Sequence, residues 1–211
     1  MTDSQSSIMQ RLKTETRDLH SHAESRALQQ RIASGEVDRA SFSDYLGQLY
    51  HVHRALETAL AKGRDTHPAI EAVATDDRMR MPDLDRDLAF HGLDGGTIEA
   101  GEAATRFRSR IEETAASNPT ALLGALYVLE GSTNGGRFLA RSLRKSWGLD
   151  VDGLSYFDPY GDEQPHRWAA FKHDMDQASF ETSEEEAIIE MAKATFLAIA
   201  EVSDEVSQSA G

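Results

Sequence analysis

The sequence predicts an all-α fold of about eight helices in a single domain spanning residues 1–211, and three observations predict it. Apolar residues recur at three- and four-residue spacing along most of the chain. No stretch alternates polar and apolar residues as a half-buried strand does. Helix start and stop signals punctuate the periodic runs: Asn118-Pro119, Gly148 and a capping-box pattern at Thr182 or Ser183 followed by glutamates.

The elements follow in order. The first helix carries Met9, Leu12, Thr16, Leu19, His20 and Ala23 on one stripe. The second is expected from Asp38 to Leu60, with Phe42, Leu46, Leu49, His53, Leu56 and Leu60 on one face. A short helix over Asp83–Phe90 stops at Gly92, and Asp94-Gly95-Gly96 turns the chain. A helix from Glu102 to Ala115 turns Phe107 and Ile111 inward. Asn118-Pro119 opens a helix holding Leu122, Leu123, Leu126, Leu139 and Leu143, which ends near Gly148. The loop Asp150–Glu163 leads to a helix from Pro165 bearing Trp168, Phe171 and Met175. The last helix buries Ile188, Ile189, Ala192, Phe196 and Ala200. Residues 1–7 are expected to be disordered and 206–211 to fray.

Composition narrows the function. There is no cysteine, which excludes disulfides and thiolate–metal sites. The N-terminus has no apolar signal region, and no run approaches the length of a membrane span. The formal net charge of −14 argues against general nucleic-acid binding and suits a cytoplasmic protein. The carboxylates Asp83, Asp85, Asp87 and Glu184–Glu186 are read as solvated faces and a helix N-terminus. Glu-x-x-His pairs on two helices, which a di-iron bundle needs, are missing.

The unusual feature is Gly131-Ser132-Thr133-Asn134-Gly135-Gly136 inside a helical run. Each interior glycine costs a helix about 1 kcal/mol relative to alanine. Close approach of a flat body to bare backbone would justify it, and so would a tight helix–helix contact. Ser132, Thr133 and Asn134 add polar groups there. On the first helix, His20 lies roughly 45° from the centre of the apolar stripe, and His22 is turned about 200° from it. His20 is therefore the better candidate for a buried role. Lys13, seven residues earlier, sits on nearly the same side, about 10 Å along the axis. His53 lies near the centre of its apolar stripe, whereas His51 points to the opposite, polar side. For both His20 and His53 the competing reading is a hydrogen-bonded core histidine.

Three separated blocks resemble one family. Leu12-Lys-Thr-Glu-Thr-Arg-Asp-Leu-His20-Ser-His-Ala-Glu24 resembles the proximal helix of the heme oxygenases, with its axial histidine. Tyr127-Val-Leu-Glu-Gly-Ser-Thr-Asn-Gly-Gly136 resembles their kinked distal helix, in the Gly-Ser-Thr version of bacterial members, including those serving bacteriophytochromes. Met191-Ala-Lys-Ala-Thr-Phe-Leu197 fits the last helix, and Leu49-Tyr50-His51 and Phe171-Lys172 fit in order.

The resemblance implies a heme sandwiched between the proximal and distal helices. It makes His20 the iron ligand, with Glu24 as a partner one turn on. Lys13 and Lys172 would meet the propionates, and Phe196 would line the pocket. Gly131 and Gly135 would let the distal helix lie against the heme face, and Gly136 would share the kink. Ser132 and Asn134 would stand where protons are delivered. The implied reaction is oxidative cleavage of heme by O2 to biliverdin, carbon monoxide and ferrous iron. Heme is then both substrate and cofactor, and the implied electron donor is a ferredoxin or a flavoprotein reductase. A bacteriophytochrome is the implied receiver of biliverdin.

Four positions depart from the common pattern: Ser132 for an aspartate, Asn134 for a leucine, His53 for a tyrosine and Asp176 for an arginine. His53 is expected to join the distal water network, or to compete for the iron in a collapsed form. The alternatives are a non-catalytic heme carrier or sensor on this fold, and a thiaminase-like hydrolase. The hydrolase reading needs a cysteine nucleophile, which this chain lacks.

Overall fold

The structure, a computed structural model, describes residues 6–150 and 152–209. Among them are nine α-helices, joined by turns and short 3-10 segments, and no strand. The first is α1 (Ile8–Glu24), opened by Ser7, which forms a reciprocal capping box with Gln10. Residues 1–5 lie outside the described part, and Ser7 itself is an ordered cap rather than part of a disordered tail. α2 (Ala27–Ser34) is additional to the sequence expectation. It buries only Leu28 and Ile32, and no Gly or Pro separates it from α1. α3 (Arg39–Arg64) is capped by Asp38, whose carboxylate accepts from the Ser41 hydroxyl at 2.6 Å and the Ser41 backbone N–H at 2.8 Å. These bonds hold its pKa down to about 2.

α4 (Pro68–Val73) is also additional, one and a half turns opened by Pro68. α5 (Met81–Phe90) and α6 (Glu102–Ser117) follow. α7 (Leu122–Trp147) runs unbroken through the glycine cluster and ends at Gly148, whose φ of 64° is the left-handed cap the sequence signals. α8 (Gln164–Gln177) and α9 (Thr182–Ser209) complete the chain. Residues 206–209 continue α9 instead of fraying, and Val206 is buried.

Long α9 is the spine. Both α1 and α7 pack along it, and α2, α3 and α6 add further contacts. Its crossing with α7 is tight: a Cβ on Gly124 would lie 1.9 Å from the Ile188 carbonyl oxygen. α1 and α7 share no comparable contact with each other. A cleft is left between them, floored by Phe196 and Ile199 of α9.

α3 is buried on several sides, against α6, α5 and α9. This overturns the placement of His51 on a polar face. His51 is 5% exposed, and its Nε2 lies 2.8 Å from the Ile98 carbonyl. No residue from Ser41 to His53 is exposed, so this stretch of α3 has no polar side and a single-stripe reading of it fails.

Candidate active site

A cavity of about 500 Å3 occupies the cleft, a size suited to one small-molecule ligand. α1 contributes His20, Ala23 and Glu24, and α7 contributes Tyr127 to Leu129, the whole Gly131–Gly136 run and Leu139. Phe196 and Ile199 come from α9, Trp168 from α8, Tyr45 and Leu49 from α3, and Tyr156 and Phe157 from the loop before α8. The walls are mainly aliphatic and aromatic, with one imidazole on the α1 side.

That imidazole is His20. Its side chain is 53% exposed, so it is not the buried group the helical phase suggests. The stripe is right, since Thr16 and Ala23 are buried, but at His20 the stripe faces the open cleft. The ring stands edge-on to Phe196, with centroids 5.4 Å apart, and Nε2 is 3.5 Å from Glu24 Oε1. His22 is exposed and does not line the cavity.

The three glycines do different things. A Cβ on Gly135 would meet nothing within 4 Å, so its bare face looks into open space. On Gly131 a Cβ would come 3.3 Å from the Trp168 ring. On Gly136 it would lie 2.3 Å from the Phe157 carbonyl oxygen. Gly136 thus serves a close backbone contact with the 156–157 loop rather than flexibility alone.

The polar residues between the glycines turn back onto their own helix. Ser132 Oγ donates to the Leu129 carbonyl at 2.7 Å, and Thr133 Oγ1 to the Glu130 carbonyl at 2.6 Å. Asn134 Nδ2 donates to the Gly131 carbonyl at 2.9 Å, and its Oδ1 accepts from Gln164 at 3.3 Å. This back-bonding is the usual behaviour of such residues inside helices. It spends the hydroxyl protons that the sequence reading assigns to water organisation.

His53 does not line the cavity. It is 3% exposed, with Nδ1 3.1 Å from Glu57 Oε1 and Nε2 3.1 Å from the Tyr156 hydroxyl. Both ring nitrogens are engaged, which removes it as a competing ligand, and it reaches the cavity only through Tyr156. Lys13 and Lys172 are exposed, make no ion pair among the described residues and are not in the lining. Each shares a helix with a lining residue: Lys13 lies two turns before His20, and Lys172 one turn after Trp168. Asp176, where an arginine is common, accepts the Met9 backbone N–H at 3.2 Å and ties α8 to the start of α1.

Other residues of the site carry little signal in the sequence. Asp87, expected on a solvated face, is fully buried. Its two oxygens accept the backbone N–H groups of Ser155 and Tyr156, each at 2.8 Å, and so position the loop that delivers Tyr156. Burial pushes the Asp87 carboxyl up. Glu130 is 1% exposed, with Oε2 3.1 Å from the Tyr160 hydroxyl, and burial raises it too.

The family model described as heme oxygenase matches residues 6–205. The chain belongs to the heme oxygenase family. A curated heme oxygenase from Takifugu rubripes is 27% identical over 201 residues, covering 92% of this chain and 72% of that protein. The fold is similar to the crystal structure of heme oxygenase-2 from Synechocystis sp. PCC 6803 in complex with heme and NO. The TM-score is 0.90 at 24% identity, over 97% of this chain and 86% of that one. Heme oxygenase-1 of the same cyanobacterium, in complex with heme, gives a TM-score of 0.88 at 22% identity, over 97% and 94% of the two chains.

The donor set of this heme oxygenase family member fits a heme. An imidazole open to the cleft can ligate iron. Apolar and aromatic walls suit the faces of a porphyrin, and Gly135 leaves a face of α7 on which a Cβ would touch nothing. Among the described residues no helix is long and apolar enough to cross a membrane.

Proposed function

We propose that this chain cleaves heme oxidatively, using O2 and electrons from a donor of the ferredoxin or flavoprotein-reductase class. The observation that carries the reading is the cavity itself, with His20 on the α1 side and the Gly131–Gly136 run of α7, bare at Gly135, lining the same space. The chemistry supplied by bound heme is its own oxidation, which yields biliverdin, carbon monoxide and ferrous iron.

The chain's residues bind, orient and shield. His20 would supply a nitrogen to the heme iron, with the edge of Phe196 against its ring and Glu24 beside it. Gly135 adds no side chain to the α7 wall, which would leave backbone and not an acid facing the ligand there. Trp168, stacked on Phe171 at a centroid distance of 5.3 Å, walls off the α8 side from water. Lys13 and Lys172 stand on helices that border the cleft and are the candidates to meet the propionates.

The test is to add hemin, then a reductant and O2, and to follow the absorption spectrum. Loss of the Soret band with growth of a biliverdin band is expected. A stable oxygen complex that never opens would favour the carrier or sensor reading instead. His20→Ala is expected to abolish the native axial ligation, and His22→Ala to leave it unchanged.

A further inference from the structure

We propose that Glu57, His53 and Tyr156 form a proton relay that decides whether the α7 side of the cavity offers a ligand a hydrogen-bond acceptor or a donor. The heme reading identifies the ligand, and the relay itself is a property of the heme-free chain.

The hydrogen bonds fix the direction of the relay. Glu57 Oε1 accepts the backbone N–H groups of Arg80 at 2.7 Å and Met81 at 3.1 Å, where α5 begins. A carboxylate held this way is an acceptor only. His53 Nδ1, 3.1 Å from the same oxygen, must therefore carry the ring proton. In the neutral ring Nε2 is then a lone pair, and it accepts the Tyr156 phenol proton at 3.1 Å. The Tyr156 oxygen lies beside Ser132, and both residues line the cavity. Ser132 and Thr133 have already given their protons to their own helix, so neither hydroxyl has a proton left to offer.

One added proton reverses the arrangement. With Nε2 protonated, the ring donates to the Tyr156 oxygen, and the phenol O–H, no longer held by His53, turns away from the ring as a donor. No covalent bond other than N–H changes. The proton enters at Nε2, and the Glu57 carboxylate stabilises the positive ring. The groups facing the pair are Glu57 and Tyr45 from α3, Ser132 from α7 and the Arg80 guanidinium ahead of α5. Burial holds the Tyr156 phenol protonated throughout, so its hydroxyl changes direction without passing through a phenolate. Tyr156 is the group that meets the ligand, and His53 and Glu57 are positioning residues.

Nitrogen-15 NMR of the imidazoles in the full, ligand-free chain tests the direction. At neutral pH His53 is expected as the Nδ1–H tautomer. A neutral ring protonated on Nε2 would overturn the proposal. With hemin added, the absorption spectrum is expected to change with pH. Both His53→Gln and Tyr156→Phe, verified as folded by circular dichroism, should lose that change. Its persistence in Tyr156→Phe would also overturn the proposal. Failure of the wild-type chain to bind hemin would sink the heme reading alone, because the tautomer measurement judges the relay without it.

Discussion

Gly135 and Gly136 are adjacent in sequence, and alanine should have opposite effects at the two. At Gly135 the new methyl meets nothing within 4 Å, so the helix gains alanine's propensity, about 1 kcal/mol. At Gly136 the methyl would sit 2.3 Å from the Phe157 carbonyl oxygen. Overpacking costs roughly 1–3 kcal/mol. Here the obstacle is backbone, pinned nearby by Asp87, so the upper end applies. After the propensity gain, Gly136→Ala should lose about 2 kcal/mol, which separates the two variants by about 3 kcal/mol. Urea unfolding followed by far-UV circular dichroism reads this directly as opposite shifts in midpoint at constant slope. In a chain of this size the melting temperatures should differ by about 6–12 °C. Gly135→Ala should also weaken hemin binding, because its methyl projects into the cavity. Midpoints that move in the same direction in both variants would refute the assignment of one glycine to the cavity and the other to the loop.

Three further outcomes follow from buried groups. Asp87→Ala strips two backbone N–H groups of their acceptor and should cost about 2–4 kcal/mol. Amide exchange should accelerate at Ser155 and Tyr156, and unchanged exchange would show that the carboxylate does not hold the loop. Glu130 keeps its proton in the folded chain above the ordinary carboxyl value of 4.5, a range in which the unfolded chain has lost it. The unfolded state then binds fewer protons, so this group's contribution to stability falls as pH rises through that window. Glu130→Gln should therefore gain stability relative to wild type as pH is raised above 4.5, and a pH-independent difference would contradict this. Phe196→Ala removes a ring that is 8% exposed and should cost about 3 kcal/mol in thermal unfolding, with a broader axial-ligand spectrum in the hemin complex.

The parts of the fold legible in the sequence are those where one helix face is wet. α1, α6 and α9 show their stripes because solvent covers the opposite side, and α7 follows the 3-10 turn that Asn118-Pro119 opens and ends at Gly148. α3 defeats the stripe reading because its Ser41–His53 stretch is enclosed, and its two histidines are both buried by different neighbours. α2 and α4 escape notice because they are too short to repeat a pattern. At the site, the glycine cluster and His20 are legible as residues. The state of His20 is not, because whether a stripe faces core or cleft depends on helices far away in sequence.

The same limit explains where the polar end of the cavity comes from. Read along α7 alone, Ser132 in place of an aspartate is a loss of proton-delivering capacity, with Thr133 and Asn134 as the nearest compensation. The hydrogen bonds of those side chains run the other way, into the helix. What faces Ser132 instead is Tyr156, held at its backbone by Asp87 of α5 and at its hydroxyl by His53 of α3. Asp87 lies 69 residues before Tyr156 in sequence, and His53 lies 103 before it. Two of the departures, Ser132 and His53, therefore belong together. A carboxylate next to the glycine is exchanged for a phenol on a loop, and that phenol is useful only because a histidine stands where its hydroxyl arrives. A chain carrying Ser132 without the His53–Tyr156 pair would have an α7 face of acceptors alone.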